Sequence, residues 1–188
     1  PTSTPAADPG KELIPPDPAA SLLATPRRRR LLEHIWQRTS LSRRQFATLY
    51  MGPLERYAEL VQQFPASESH HHAYPGGMLD HGLEIVAYAL KLRQSHLLPA
   101  GTTPEAQAAQ AEAWTAGTAY AALLHDVGKP DCKRETGVQY DHDTYGERIS
   151  KRVLRDLRFP SRTISEVSAL VGGHMYDIQH QAKPDTLR

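Results

Sequence analysis

An alanine-rich segment of the chain ends in LLHDVGK, residues 123–129, and the fold can be predicted outward from this ending. Alanine and leucine favour helix, and residues 103–105 (Thr-Pro-Glu) supply a capping hydroxyl, a proline in the first turn and an acid near the positive helix end. A helix is therefore predicted from there to the His-Asp pair, where the following glycine and proline stop it. His125 and Asp126 thus lie together at a helix end, and imidazole beside carboxylate is a ligand set for divalent metals.

A second histidine-rich segment lies upstream and reads SHHHAYPGGMLDH, residues 69–81. A long helix is predicted to begin near the end of this segment. Three apolar residues, Ile85, Tyr88 and Leu92, follow His81 at offsets of four, seven and eleven, which places all four on one helical face. His81 is therefore predicted to point inward.

The loop ahead of that helix has several interpretations. His71 or His72 can reach the metal centre or the substrate, and a polar loop with no fixed partner is an equally good interpretation. Tyr74 is the tyrosine nearest to the histidines, so it is the candidate for a nucleophilic role. Asp80 lies beside His81 but points elsewhere on a helix, so it is predicted to be solvated.

Two further predicted helices also place a histidine at an end. His142 opens a helix that ends before Pro160, after a loop predicted over residues 131–141. The last helix is predicted to begin with a capping box at residues 163–166 and to end immediately before His174. A single histidine of this kind is more often a core or capping residue, but helical bundles build metal sites from several helices. The predicted metal ligands are His81, His125, Asp126, His142 and His174.

The composition limits the class of protein. The 188 residues fit one helical domain, predicted over residues 21–188, preceded by a flexible Pro-rich arm at residues 1–20. No alternation typical of a sheet occurs, so the fold class is predicted to be all-α. A formal net charge of +1 excludes a globally basic nucleic-acid binder. The single cysteine and the lack of an apolar run of about 20 residues predict a cytoplasmic protein that does not span a membrane.

A run of four arginines, Arg27, Arg28, Arg29 and Arg30, precedes apolar residues at helical spacing. Cations at the start of a helix oppose its dipole, so the run does not serve helix stability. It can contact the phosphates of a nucleic acid, or it can form a solvated basic face. The solvated face is the more frequent outcome for such a run.

Two more charged residues lie beside predicted ligands. Lys129 follows the His-Asp pair on a tight turn, where it can meet a phosphate oxygen or remain an exposed lysine that complements the helix dipole. Asp177 lies three residues after His174 and is either a further carboxylate ligand or a surface acid.

These motifs resemble the HD superfamily of metal-dependent phosphohydrolases over roughly residues 70–180. The resemblance implies an HD-domain helical bundle in which His81, His125 and Asp126 match the first three metal ligands of the family. His142 and His174 resemble the extra histidines of members with a two-metal centre or a larger phosphate site. The final aspartate of the family has no obvious counterpart before the chain ends, so the domain is expected to be truncated at its C-terminus.

Two narrower resemblances divide the chain. Residues 20–128, including PASESHHH at 65–72, look like the N-terminal domain of the MobH class of conjugative relaxases, which integrating conjugative elements carry and which nick DNA at a transfer origin. Residues 129–188, including HDTYG at 142–146 and LVGGHM at 170–175, look more like the HD domain of bacterial CCA-adding tRNA nucleotidyltransferases. Either a relaxase relative has this shorter second half, or the chain is a chimera.

The leading functional hypothesis is a metal-dependent phosphohydrolase that acts on DNA, another nucleic acid or a nucleotide. Mixed nitrogen and oxygen ligands do not select sharply among metals, so one or two ions of Mn, Ni, Co, Fe or Mg are expected. In hydrolysis by activated water, Asp126 would bridge ions or accept a proton, and either a second ion or Lys129 would neutralise the developing charge. The alternatives are a DNA-binding or assembly module with a degenerate metal site and, last, covalent strand cleavage by Tyr74.

Overall fold

The computed structural model describes residues 16–95, 103–137 and 141–175. Within these ranges the chain forms helices and no β-strand, which confirms the all-α prediction. A π-helical turn, Ala47–Met51, joins the third helix to the fourth. The α-helices are α1 (Ala19–Leu22), α2 (Pro26–Trp36), α3 (Arg43–Phe46), α4 (Gly52–Val61), α5 (Gly77–Ser95), α6 (Pro104–Leu124), α7 (Lys129–Thr136), α8 (His142–Asp156) and α9 (Ser161–Gly173).

Helices α5 and α6 form the centre of the bundle. α5 packs against α2 and α6, while α9 packs against both α6 and α8. Burying one large aliphatic side chain contributes about 1.5–3 kcal/mol, so this shared core fixes the ends of the helices relative to one another. Fully buried members of the core include Ile35, Leu79, Leu83, Leu90, Leu154 and Val171. No helix among the described residues is long and apolar enough to cross a membrane.

The prediction that Tyr88 and Leu92 face the core from α5 is wrong, but the prediction that His81 points inward is confirmed. Tyr88 is 63% exposed and Leu92 is 50% exposed, whereas the core stripe of α5 includes Leu83 and Leu90 on the other side of the helix. His81 is nevertheless buried. It lies in the first turns of α5, where the loop that carries His71 and His72, here called the histidine loop, and the turn after α6 cover the side of the helix that holds His81.

Two local predictions for the second half of the chain are also wrong. Residues 129–136 form α7, not a loop, because Pro130 takes a first-turn position that suits proline and Gly137 ends the helix in the left-handed conformation. α9 begins at Ser161 without a side-chain cap, two residues before the predicted capping box. The helix predicted from His142 is confirmed as α8.

The crossing of α4 and α5 depends on a glycine. A Cβ at Gly82 would lie 2.8 Å from both Cε1 and the hydroxyl oxygen of Tyr57. Tyr57 is buried, and its hydroxyl donates a hydrogen bond to the Met78 carbonyl oxygen at 3.2 Å. The tyrosine therefore cannot move away from an added methyl group.

We expect Gly82→Ala to lower the free energy of unfolding by about 1–3 kcal/mol, because overpacking at a rigid contact forces the helices apart. Gly52→Ala is the matched control, since nothing lies within 4 Å of a Cβ at that helical position. The control should gain up to about 1 kcal/mol from helix propensity. Urea unfolding of both variants measures the difference, and equal stabilities would contradict the proposed close contact.

Candidate metal centre

Five side chains meet where the ends of four helices converge. α5 supplies one histidine from its first turns, the turn after α6 supplies the His-Asp pair, α8 supplies its first residue, and the residue that follows α9 supplies the last histidine. All five are the ligands predicted from the sequence: His81, His125, Asp126, His142 and His174.

The carboxylate of Asp126 lies between two histidine pairs. Its Oδ2 is 3.2 Å from His125 Nε2 and 3.6 Å from His81 Nε2, and these two nitrogens are 3.4 Å apart. Its Oδ1 is 3.3 Å from His142 Nε2 and 3.7 Å from His174 Nε2, which are 3.0 Å apart. Each carboxylate oxygen therefore belongs to its own triad of ligand atoms.

These distances fit divalent metal ions. Nitrogen and oxygen ligands bind such ions at about 2.0–2.2 Å, so two ligands of one ion lie roughly 3.0–3.6 Å apart. The two triads have ligand separations of 3.0–3.7 Å. The donor set, two imidazoles and one carboxylate oxygen per triad, suits Zn, Fe, Mn, Co or Ni.

Backbone carbonyls orient two of the imidazoles. His125 Nδ1 lies 2.8 Å from the Ala122 carbonyl oxygen, and His174 Nδ1 lies 2.6 Å from the Val171 carbonyl oxygen. A carbonyl only accepts, so both Nδ1 atoms carry the proton and donate. Each Nε2 lone pair is then available at the centre, which is the usual outer support of a metal-binding histidine.

The electrostatics favour a charged carboxylate at Asp126 and shift the pKa values of His81 and His174 in opposite directions. Burial alone would raise the pKa of Asp126, but the close approach of His125, His142 and His174 to its carboxylate holds that pKa far below its ordinary value. Burial and the neighbouring His125 lower the pKa of His81 to about 4, and the attraction of Asp126 does not offset them. Burial also disfavours charge on His174, but its bonds to Asp126 and to the Val171 carbonyl raise the pKa overall.

Gly128 brings the two triads together. A Cβ there would lie 2.0 Å from the His142 carbonyl oxygen and 2.5 Å from the Gly146 nitrogen. Its φ of −77° is ordinary for any residue, so the glycine is required by the close approach of α8 and not by a left-handed helix end. The sequence pattern indicated a helix stop and gave no sign of this backbone contact.

Lys129 is not an exposed lysine. Its Nζ lies 2.6 Å from Asp126 Oδ2 and donates to the Ala66 carbonyl at 3.0 Å, so it joins the loop after α4 to the candidate centre. It also compensates part of the buried negative charge. Contact with a phosphate stays a prediction for this residue.

Asp80 is buried, so the prediction that it is solvated is wrong. Its carboxylate accepts from Arg28 Nε at 2.8 Å and from the Tyr74 hydroxyl at 3.0 Å, and Arg28 also donates to the Leu22 carbonyl at 2.6 Å. Burial would raise the pKa of Asp80, but the bonds from Arg28 and Tyr74 lower it below its usual value. This network ties α2 and the histidine loop to the residue beside His81.

The histidine loop covers the His81 side of the centre. The exposed His71 ring lies 4.9 Å from the His81 ring, and the His72 ring lies 5.7 Å from it. His72 Nε2 is 3.1 Å from Glu84 Oε2, and the other carboxylate oxygen of Glu84, Oε1, pairs with Arg27. Neither loop histidine belongs to a triad, so a ligand role for either one stays a prediction.

The four-arginine run divides into two parts. Arg27 and Arg28 form ion pairs with residues of α5, and Arg29 and Arg30 are exposed. Phosphate binding by the run stays a prediction; Arg27 is exposed but engaged by Glu84, and Arg29 and Arg30 are exposed with no ion pair among the described residues. Asp177 lies outside the described residues.

The fold and the site together define a helical protein with a buried His/Asp cluster that can bind metal. The chain belongs to the TraI_2 family, described as "Putative helicase", which matches residues 13–136. This family is associated with conjugative relaxases, so the resemblance to them is confirmed at that level. The match includes the first triad and ends in α7, before His142 and His174. Searches of curated proteins and of solved structures found no match.

We expect Arg28→Met to lower the free energy of unfolding by about 3 kcal/mol, because it leaves the Asp80 carboxylate buried without its cation. The control is Arg162→Met, which breaks an exposed helical pair with Glu166 and should cost less than about 0.5 kcal/mol. Denaturant unfolding measures both. Equal losses would show that the Arg28–Asp80 pair does not stabilise the first half of the bundle.

Proposed function

We propose that this protein is a metal-dependent phosphodiesterase in conjugative DNA processing, with two divalent ions held by two triads that share Asp126. The observation that carries this proposal is a single buried carboxylate whose two oxygens each face a different pair of imidazoles. The family association with conjugation supports DNA as the substrate.

Residues of the chain would divide the work. His81 and His125 would hold one ion with Asp126 Oδ2, and His142 and His174 would hold the other with Oδ1. When bound, the ions supply Lewis acidity toward a phosphoryl oxygen and toward water. The Lys129 ammonium, held at Asp126, would add positive charge where the phosphorane-like transition state accumulates negative charge.

The open side of the centre indicates how a phosphodiester would approach. The side chains of His125 and His174 are 22% and 17% exposed, whereas those of Asp126 and His142 are 6% and 5% exposed. A substrate phosphate would therefore reach the centre past His125 and His174, with the two inner ligands shielded from water.

Metal stoichiometry tests the shared carboxylate. After loading with Mn²⁺ or Ni²⁺ and desalting, the parent chain should retain two ions, because both triads are complete. His81→Ala and His174→Ala should each retain one, and Asp126→Asn should retain none because it removes the charge common to both triads. Elemental analysis per folded chain gives the count.

The matched control is His34→Ala, which removes a histidine on α2, outside both triads. It should bind metal as the parent does. If the parent binds no metal, or if His81→Ala and Asp126→Asn lose the same number of ions, the shared two-ion centre is wrong.

Hydrolysis tests the function itself. With Mn²⁺ present, the parent should cleave bis(4-nitrophenyl) phosphate and single-stranded DNA, and Asp126→Asn should lose at least about 100-fold in rate, the scale of removing one electrostatic stabiliser. A chelator should abolish the parental rate. Metal binding and DNA binding without cleavage would instead establish a non-catalytic DNA-binding or assembly module.

The covalent alternative has a poorer geometry. The Tyr74 hydroxyl donates a hydrogen bond to the Asp80 carboxylate, and burial together with this hydrogen bond raises the pKa of Tyr74. Both effects disfavour the phenolate that a tyrosine nucleophile requires.

A further inference from the structure

Helix α8 carries three exposed arginines that form no ion pair with any of the described residues. Arg148, Arg152 and Arg155 are exposed, and their spacing of four and three residues places them on one side of the helix. Among the described residues no ion pair involves any of them, whereas neighbouring Lys151 pairs with Glu147. Like charges at such spacing destabilise a helix by about 0.2–0.5 kcal/mol per pair, which offsets the favourable position of Arg155 in the last turn of α8.

The stripe leads away from the candidate metal centre. α8 begins at His142, so at a rise of about 1.5 Å per residue Arg148 lies roughly 9 Å along the helix and Arg155 roughly 20 Å. Tyr145 lies between the centre and the stripe, and the Arg148 guanidinium sits 4.7 Å from the centroid of its ring. This cation–π contact holds the Arg148 guanidinium against the ring of a residue that lies about one turn along α8 from His142.

We propose that this stripe, Arg148, Arg152 and Arg155, binds the phosphodiester backbone of single-stranded DNA and guides the strand to the metal centre. The inference rests on the proposed function for the chemistry at the centre. The stripe spans about 10 Å along the helix axis, and over that length a DNA strand with one phosphate per roughly 3.4 Å of duplex axis presents at least three phosphates, enough for one per arginine. Arginine suits this task because its planar fork donates two hydrogen bonds to one phosphate.

The acidic residues of α8 do not cancel the stripe. Glu147 is engaged by Lys151, Asp143 accepts from the backbone nitrogen of Thr144, and Asp156 is the exposed acid at the far end. On α9, which packs against α8, the exposed Glu166 pairs with Arg162. The stripe also lies beyond residues 13–136, so the family match does not assign it a role.

The test compares two charge-matched triple variants. Arg148→Gln, Arg152→Gln and Arg155→Gln together change the net charge from +1 to −2, since three cations are lost. The control combines Arg44→Gln, Arg56→Gln and Lys91→Gln, three exposed cations on α3, α4 and α5, and makes the same change in charge. A third variant, with lysine at the three stripe positions, restores the charge and guards against a folding defect.

Binding is measured by fluorescence anisotropy of a labelled single strand of about 20 nucleotides, in chelator and over a range of salt. Three lost phosphate contacts should reduce the slope of log K against log salt by about 2 and weaken binding by roughly 100-fold near 0.1 M salt. The lysine variant and the control triple should keep the parental slope.

Parental affinity in the glutamine triple, or an equal loss in the control triple, would overturn the proposal. If the true partner of the stripe were an acidic protein, the glutamine triple would bind DNA with the parental affinity. Because the assay contains chelator, it is independent of catalysis. Cleavage of bis(4-nitrophenyl) phosphate by the parent judges the proposed function separately, so either proposal can fail alone.

Discussion

The buried carboxylate of Asp126 is the constraint on which the rest of the site depends. Removing a carboxylate from water is costly unless partners compensate it, and this one is surrounded by imidazole nitrogens and the Lys129 ammonium. Besides the adjacent His125, the partners come from α5, α7, α8 and the residue after α9, so the bundle must bring these elements to the turn that follows α6. The same arrangement supplies two sets of atoms that could hold a metal ion.

Close backbone approach makes this convergence possible. Gly128 admits the first turn of α8, and Gly82 admits the ring of Tyr57 between α4 and α5. Around these contacts the Arg28–Asp80 pair ties α2 to the start of α5. The family match ends in α7, so the first triad lies inside the shared region, and α8 and α9 complete the second triad with residues outside it.

Local sequence signals were enough to predict which helices carry the candidate ligands. His125, Asp126 and His142 lie at helix ends that local signals mark, namely an alanine-rich segment, a glycine and prolines, and these signals act within a few residues. Because helix ends in a small bundle meet near one another, their convergence could also be anticipated from the sequence.

The choice of covered helix faces and of paired charges depends on tertiary packing, which local patterns do not show. Periodicity shows that His81 and Tyr88 share a face, but not that the first turns of α5 are covered on that face while the later turns are open. The burial of Asp80 depends on Arg28, 52 residues earlier, and no local pattern links two residues so far apart. The requirement for Gly128 likewise comes from the backbone of another helix, because packing joins segments that the sequence separates.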